Sequence, residues 1–198
     1  MLKVGITGVM GAGKSTVSGV LGKLGVSLYN CDKRAKELMV GECIAPLVEL
    51  LGGEVLLGDG SLNRGYISSR IFSDAEIKKA VEAIVHSALR KDMLEWVEER
   101  AAEDYVVVES AILYGSIIEK DMDVVVAVVA SSEVLYDRIA QRDGLTKEQI
   151  EARMSSQLSQ CDIESRADEV IYSSNSELLV PKVVKLHKKL LTLSALKK

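Results

Sequence analysis

The stretch that decides the fold is Gly8-Val9-Met10-Gly11-Ala12-Gly13-Lys14-Ser15. It matches the pattern G-x-x-x-x-G-K-[S/T] at every fixed position, with an apolar strand signal over 2–7 before it and a helical pattern after it. Glycines let successive backbone N–H groups wrap around an anion, and the N-terminus of the following helix adds partial positive charge there. The stretch therefore predicts a phosphate-binding loop, since a glycine-rich turn with a chance Lys-Ser would not explain both flanking elements.

Residues of this loop are expected to hold ATP and Mg²⁺. Lys14 can reach the β- and γ-phosphates and stabilise the transferred group, and the Ser15 hydroxyl can bind Mg²⁺. Backbone N–H groups supply the remaining phosphate contacts. The predicted ATP-binding residues of the loop are Gly11, Ala12, Gly13, Lys14, Ser15 and Thr16.

Strand and helix signals alternate along the rest of the chain. Apolar and β-branched runs predict strands over 2–7, 27–30, 105–109, 123–129 and 167–172. Between and after them, helical patterns are found over 74–101, 132–142, 146–160 and 177–193, with a mostly helical stretch from 33 to 102. This alternation predicts an α/β fold with a parallel sheet and helices on both faces.

Composition limits the classes of protein to be considered. The chain has 198 residues, of which 47% are apolar and 27% charged, with a net charge of −4. These values favour one compact domain, and there is no run of about 18 apolar residues to cross a membrane. No signal-peptide pattern is present, and three cysteines without C-x-x-C spacing favour a reduced cytoplasm.

Nucleic acid is not an expected partner. The densest basic run places Lys182, Lys185, Lys188 and Lys189 on one predicted helix, which is typical of a solvated face. Aromatic residues make up only 4% of the chain and do not alternate with basic ones. The expected partner is a small-molecule substrate, with no membrane contact and an oligomeric state that the sequence does not define.

The phosphate-binding loop alone does not separate kinases from GTPases or ATP-driven switches. The guanine-reading tetrapeptide N-K-x-D is absent, and Glu109-Ser110-Ala111-Ile112 stands where a D-x-x-G switch would follow the third strand. A multidomain ATPase would need a longer chain. A small-molecule kinase is the interpretation that remains.

Short segments in a fixed order then give a resemblance to the dephospho-CoA kinase family, and together they cover essentially the whole chain. Upstream they are Gly5-Ile6-Thr7-Gly8, Asp32 with Ala35-Lys36-Glu37-Leu38, Leu62-Asn63-Arg64, Ile71-Phe72, Ile84-Val85-His86 and Arg142-Asp143-Gly144. Downstream they are Glu148-Gln149-Ile150, Arg153, Gln157 and Ala167-Asp168-Glu169-Val170-Ile171.

The resemblance implies a P-loop NTPase core, of the nucleoside-kinase type, with a five-stranded parallel sheet, a helical CoA-binding insertion and a helical lid. On this chain the core takes residues 1–32, 103–137 and 166–198, the insertion 33–102 and the lid 138–165. The implied reaction is the ATP-dependent phosphorylation of the 3′-hydroxyl of dephospho-coenzyme A, the last step of CoA biosynthesis. The same fold in a nucleoside, nucleotide or shikimate kinase, or in a nucleotide-binding regulator without turnover, is the alternative.

Asp32 is the expected catalytic base. It follows the second predicted strand, at the edge where α/β sheets place ligands, and it matches the last position of the family's D-x-D segment. Asp32 is also expected to contact the substrate. A role as cap of a helix beginning near Lys33 is the structural alternative and does not exclude catalysis.

Further charged side chains are candidates for metal and substrate binding. Glu109 ends the third strand, where it can serve the magnesium water shell or cap a following helix. His86 and Arg90 are four residues apart and project from one helical face. The resemblance places the His86 segment by the CoA-binding insertion, so His86 and Arg90 are candidate substrate contacts. Arg64 is a similar candidate for an acidic group of the substrate, and a structural or solvated role is the alternative for all three.

Arg138 and Arg142 are the expected lid arginines. They are four residues apart on the helix after the fourth strand, where the family's lid begins. Guanidinium groups suit phosphate oxygens because they donate in pairs and stay charged. Both are expected to bind ATP, and Arg142 is expected to assist catalysis; a solvated role without function is the alternative for each.

Several positions depart from the family pattern, and none of them lies in the phosphate-binding loop or at Asp32. They affect how the adenine and the CoA moiety are held. The departures are Asn30-Cys31 in the D-A-D segment, Ser87 after His86, Gly115 in place of a Glu, Ser173 in place of an Asn, and Gln160-Cys161-Asp162 in a stretch that is usually more basic.

Overall fold

A computed structural model describes residues 1–155, 157–174 and 177–197. By internal contacts the chain forms two compact units, one made of 1–30 with 100–198, the other of 31–99. We call them the sheet unit and the helical unit. The division does not separate residues 138–165 from the sheet unit, so the lid stays a prediction.

The sheet unit is built on five parallel strands, as predicted. They are β1 (Leu2–Thr7), β2 (Leu28–Asn30), β3 (Tyr105–Glu109), β4 (Val124–Val129) and β5 (Glu169–Tyr172), in the order β2-β3-β1-β4-β5. β3 and β4 are nearly continuous valine runs, because a parallel sheet covered on both faces buries residues of both faces. At the carboxyl edge Ile6 and Asn30 both pair with Glu109, so the ends of β1, β2 and β3 are aligned.

Helices of the sheet unit pack on these strands. They are α1 (Lys14–Lys23), α6 (Ser132–Asp143), α7 (Lys147–Met154), α8 (Gln160–Arg166) and α9 (Leu179–Lys197). α1 and α9 pack against each other and against β1 and β3, whereas α8 packs against β4. The core is formed by the buried strand residues with apolar side chains such as Val17, Leu21, Leu186 and Leu190.

The helical unit has one long helix, α5 (Ala75–Glu98), against which α2 (Cys31–Met39), α3 (Ile44–Leu51) and α4 (Arg64–Ser73) pack. Asp74 caps α5 by accepting from the N–H groups of Glu76 and Ile77. The guanidinium of Arg34 on α2 donates to both carboxylate oxygens of Asp92 on α5, at 2.8 and 2.5 Å. This bidentate pair fixes α2 against α5.

The structure corrects several expected helix boundaries. The helix expected over 146–160 is two helices, because Ser159 caps α8 by accepting from the N–H of Asp162 at 3.1 Å. α2 begins at Cys31, so Asp32 lies in its first turn and is not its N-cap. Glu109 caps no helix, since turns and a short 3-10 segment (Glu119–Asp121) follow β3.

Candidate active site

The phosphate-binding loop joins β1 to α1 and leaves the first turn of that helix open to an anion. Gly13, the N-cap of α1, has φ 102°, a left-handed conformation that favours glycine. No side chain of the described residues caps this helix, so its first N–H groups are left for a ligand. Ser15 and Thr16 are exposed in that turn.

Lys14 folds back over the start of the loop. Its ammonium group donates to the carbonyl oxygens of Gly8 at 2.8 Å and Val9 at 3.2 Å. The carbonyls hold the cation at the loop, where a phosphate oxygen can bind it. The role of Lys14 toward the β- and γ-phosphates stays a prediction.

Arg138 reaches the other end of the same loop. Its Nη1 donates to the carbonyl oxygens of Gly11 at 3.5 Å and Ala12 at 3.3 Å, and to the hydroxyl of Ser173 at 3.0 Å. Ser173 is only 3% exposed and follows β5, with its N–H bonded to Val129. The structure therefore brings Arg138 to the predicted ATP site, and Ser173, a departure from the family pattern, positions it.

The Arg142 side chain is paired with its neighbour Asp143 and not with the phosphate-binding loop. Its Nε and Nη2 donate to the two carboxylate oxygens of Asp143, at 2.8 and 2.9 Å, and its side chain is 61% exposed. The hydrogen bonds from Arg142 hold the pKa of the Asp143 carboxyl below its usual range. Arg142 is thus not among the residues that contact the loop, and its binding to ATP stays a prediction.

Glu109 lies at the carboxyl edge of the sheet, beside the strand that carries the loop. It is 8% exposed, and its carboxylate forms no ion pair or hydrogen bond with any residue in the described ranges. Thr7, at the end of β1, is also buried. The Glu109 carboxylate and the exposed Ser15 hydroxyl are both hard oxygen donors, the kind that Mg²⁺ prefers, and their binding of Mg²⁺ stays a prediction. The described residues contain no cluster of three or more His, Cys, Asp or Glu side chains able to hold a metal.

A cavity of about 130 Å³ opens at this edge, next to the loop. It is lined by Thr7, Ala111, Ile112, Leu113, Tyr114, Gln157, Leu158 and Ile163. The side chain of Gln157 connects the cavity to the loop, because its Oε1 accepts from the N–H of Met10 at 3.1 Å. All of these residues belong to the sheet unit.

The wall of this cavity is fixed by Glu119. At position 115, where the resembling family has Glu, the chain has Gly at φ 79°, and the Glu119 carboxylate accepts its N–H at 2.6 Å. Glu119 also pairs with Arg166 at 2.5 Å, and that guanidinium lies 4.1 Å from the ring centre of Tyr114. Glu119 thus ties the Gly115 backbone to Arg166 in the segment after β3.

The helical unit has its own pocket, of about 250 Å³ and mostly apolar. It is lined by Lys36, Met39, Leu62, Arg64, Ile67, Ser68 and Ile71. Arg64 and Lys36 are exposed, so two cationic groups border an apolar wall. Asp32 is exposed one helical turn before Lys36 on α2, and residues four apart share a helix face.

His86 and Arg90 both lie on α5, on one face and partly buried, as expected from their spacing. Neither lines the apolar pocket. Among the predicted substrate residues, the structure therefore brings only Arg64 to this pocket. Contact of His86 and Arg90 with a substrate stays a prediction.

Three residues of these sites were not predicted as site residues. Gln157 had a place in the resemblance but no role, and Lys36 was part of a matching segment. Ser173 was counted only as a departure from the family pattern. No local pattern signals such contacts, because each joins segments far apart in the sequence.

Comparison with known proteins agrees with this geometry. The family model described as dephospho-CoA kinase matches residues 2–178. The dephospho-CoA kinase of Porphyromonas gingivalis is 34% identical over 192 residues, covering 94% of this chain and 93% of the relative.

Two solved structures share the fold over nearly the full length of both chains. The protein TT1252 from Thermus thermophilus has a TM-score of 0.82 and 29% identity, covering 95% of this chain and 96% of that one. Dephospho-CoA kinase from Campylobacter jejuni has a TM-score of 0.71 and 22% identity, with coverages of 96% and 97%.

Among the described residues, none of the helices has the length and hydrophobicity of a membrane span.

The sheet unit has a P-loop NTPase fold with its phosphate-binding loop intact, and the family model extends through the helical unit. The chain belongs to the dephospho-CoA kinase family, whose members are phosphotransferases.

Proposed function

We propose that the chain transfers the γ-phosphoryl group of ATP to the 3′-hydroxyl of dephospho-coenzyme A, giving coenzyme A and ADP. The observation that carries the proposal is an intact phosphate-binding loop in a chain that matches this family over residues 2–178. The loop supplies the ATP site in the sheet unit. The helical unit supplies a pocket whose chemistry suits the acceptor.

The apolar pocket of the helical unit suits dephospho-coenzyme A, which has a long uncharged arm and a diphosphate. The walls formed by Met39, Ile67 and Ile71 can bury part of the arm. Lys36 and Arg64 at its border can pair with the diphosphate oxygens. A small acceptor such as shikimate, with a single carboxylate and no diphosphate, would leave most of this pocket unfilled and would not need both cations.

Asp32 is proposed to orient the acceptor and accept its proton. It lies in the first turn of α2, two residues after the end of β2 in the sequence. It also shares a face of α2 with Lys36, about 6 Å along the helix axis. A positioned base contributes roughly 10²- to 10⁴-fold to such a step.

Transfer is proposed to proceed by in-line attack. The acceptor oxygen forms the new bond to the γ-phosphorus while the bond from that phosphorus to the bridging β–γ oxygen breaks, and ADP leaves. The hydroxyl proton passes to Asp32. Lys14 offsets the charge that spreads over the phosphoryl oxygens, and Arg138 holds the loop in place.

Mg²⁺ is proposed as the metal of this site. The Ser15 hydroxyl would bind it together with the ATP phosphates, and Glu109 would hold its water shell. Mg²⁺ keeps several waters and takes few protein ligands, so one hydroxyl and one carboxylate fit it. When bound, the ion neutralises phosphate charge. We also infer a cytoplasmic location, which the free thiols of Cys31, Cys43 and Cys161 favour.

The test follows the phosphoryl group to its product. The protein is incubated with dephospho-coenzyme A, Mg²⁺ and ATP labelled in the γ-phosphate, and ³¹P NMR identifies the position of the new phosphomonoester. We expect label at the ribose 3′-oxygen. Label that stays in ATP, or that leaves only as inorganic phosphate, would refute the proposed function.

A further inference from the structure

Gln157 offers a hydrogen-bond donor at the phosphate-binding loop that the roles above do not use. It lies between α7 and α8, and its Oε1 accepts from the N–H of Met10 at 3.1 Å. That bond sets the amide orientation, because only the oxygen can accept. Its Nε2 donates to no residue in the described ranges, and the side chain lines the 130 Å³ cavity beside Thr7.

The two ends of the loop can be told apart by the cations bound to them. Lys14 lies on the carbonyl oxygens of Gly8 and Val9, at the start of the loop. A P-loop lysine reaches the β- and γ-phosphates, so the γ end of the triphosphate lies on this side. Arg138 lies on Gly11 and Ala12, toward the opposite end.

Met10 directly follows Val9, one of the two residues whose carbonyl oxygens hold the Lys14 ammonium group. Gln157 is bonded to Met10, and the cavity that it lines is also lined by Thr7, the residue before Gly8 at the start of the loop. The amide Nε2 is therefore held beside the γ end of the triphosphate. A partly buried amide with its oxygen anchored and its N–H groups unused is ready to donate to an anion.

We propose that Gln157 contacts the γ-phosphoryl group, with Oε1 anchored on Met10 and Nε2 donating to a non-bridging phosphoryl oxygen. The inference rests on the proposed function, and it adds a residue to that site. No bond is made to Gln157 during transfer. The contact strengthens as charge spreads over the phosphoryl oxygens, and it is absent in the ADP complex.

Gln160 provides a matched control three residues away. Its Nε2 donates to the carbonyl oxygen of Ala130 at 2.9 Å, and its Oε1 accepts from the Ala130 N–H at 3.1 Å. Both ends of that amide are used by the backbone after β4. Gln160 therefore has a structural role with both amide groups bonded, whereas Gln157 uses only its amide oxygen within the protein.

The test compares Gln157→Glu, Gln157→Met and Gln160→Glu. A carboxylate at position 157 keeps the acceptor for Met10 but loses the donor, and methionine loses both. Calorimetry measures the dissociation constants of Mg-ATP and Mg-ADP for each variant. We expect Gln157→Glu to weaken the binding of Mg-ATP about tenfold or more, as for loss of a hydrogen bond to a charged group. The dissociation constant of Mg-ADP should change less than about twofold.

Gln157→Met should also weaken the binding of Mg-ATP more than that of Mg-ADP, but by a smaller factor. Gln160→Glu should leave the ratio of ATP to ADP affinity unchanged and lower the melting temperature by roughly 2 to 8 °C. Equal weakening of ATP and ADP, or no weakening, by both Gln157 variants would overturn the inference. This result is independent of the acceptor, so it does not depend on turnover with dephospho-coenzyme A.

A pH series supplies the second readout. The carboxyl introduced by Gln157→Glu regains a donor when protonated, so its kcat relative to wild type should rise as the pH falls from 8 toward 5. A ratio that stays flat across this range would contradict a donor role. An inactive wild type would instead refute the proposed function, while the nucleotide affinities would still decide on Gln157.

Discussion

Replacing Gly8 by alanine tests the close approach of the phosphate-binding loop to the sheet. Gly8 has φ 152°, and a Cβ built there would lie closer than 3.0 Å to the Val128 carbonyl oxygen of β4. A rare backbone conformation costs about 1–3 kcal/mol, and forcing packed backbone apart adds about 1–3 kcal/mol. We therefore expect Gly8→Ala to lower the free energy of unfolding by roughly 2–6 kcal/mol, summing these two costs.

Substitutions at two other glycines separate the conformational cost from the cost of the steric clash. Gly25 has φ 91° with nothing within 4 Å of a built Cβ, so Gly25→Ala should cost only the conformational strain, about 1–2 kcal/mol. Gly19 lies inside α1 with no neighbour within 4 Å. Gly19→Ala should stabilise the protein by about 0.5–1 kcal/mol, because alanine loses less entropy in a helix.

The assay is urea unfolding of the three variants and the wild type, followed by circular dichroism. With a slope of about 2–3 kcal/mol per molar, Gly8→Ala should lower the midpoint by roughly 0.7–3 M. Gly25→Ala should lower it less, and Gly19→Ala should raise it. Equal losses for Gly8→Ala and Gly25→Ala would refute the close approach of the loop to β4.

Other substitutions test single steps of the mechanism. Asp32→Asn should reduce kcat by roughly 10²- to 10⁴-fold and leave ATP affinity within about twofold; a near wild-type rate would remove Asp32 from the mechanism. Lys36→Met should raise the KM for the acceptor by about fivefold to tenfold and not the KM for ATP, whereas Lys33→Met, outside the pocket, should change neither. Burial opposes ionisation of Asp123, but hydrogen bonds from Lys197 and the Lys3 N–H outweigh it and lower its pKa. The stabilisation by Asp123 is therefore present above about pH 4 and is lost as the pH falls through its lowered pKa. Asp123→Asn should make the melting temperature depend less on pH in the acid range. An unchanged pH dependence would contradict this.

The sheet could be predicted because its signals are local and mutually consistent. A strand, the loop from Gly8 to Ser15 and a helix follow one another without a break, and buried parallel strands appear as continuous apolar runs such as Val124–Val129. The family resemblance supplied the helical unit. The break between α7 and α8 was missed because a helical pattern runs across Ser159, and only its side-chain cap shows that a new helix begins there.

The candidate site was only partly predictable, because its contacts join distant segments. The sequence gives no reason to distinguish Arg138 from Arg142, because both lie on one helix, four residues apart. The structure separates them, since the buried Ser173 draws Arg138 to the loop and Asp143 holds Arg142 in solvent. The contact from Gln157 to Met10 spans 147 positions, and no local pattern predicts such a bond.

The most direct test of the central claim measures initial rates of ADP release with Mg-ATP and separate acceptors: dephospho-coenzyme A, AMP, adenosine and shikimate. The structure predicts saturable turnover with dephospho-coenzyme A and rates near background with the other three. Turnover of another acceptor without turnover of dephospho-coenzyme A would contradict the assigned substrate. Tight ATP binding without turnover of any acceptor would contradict catalysis altogether.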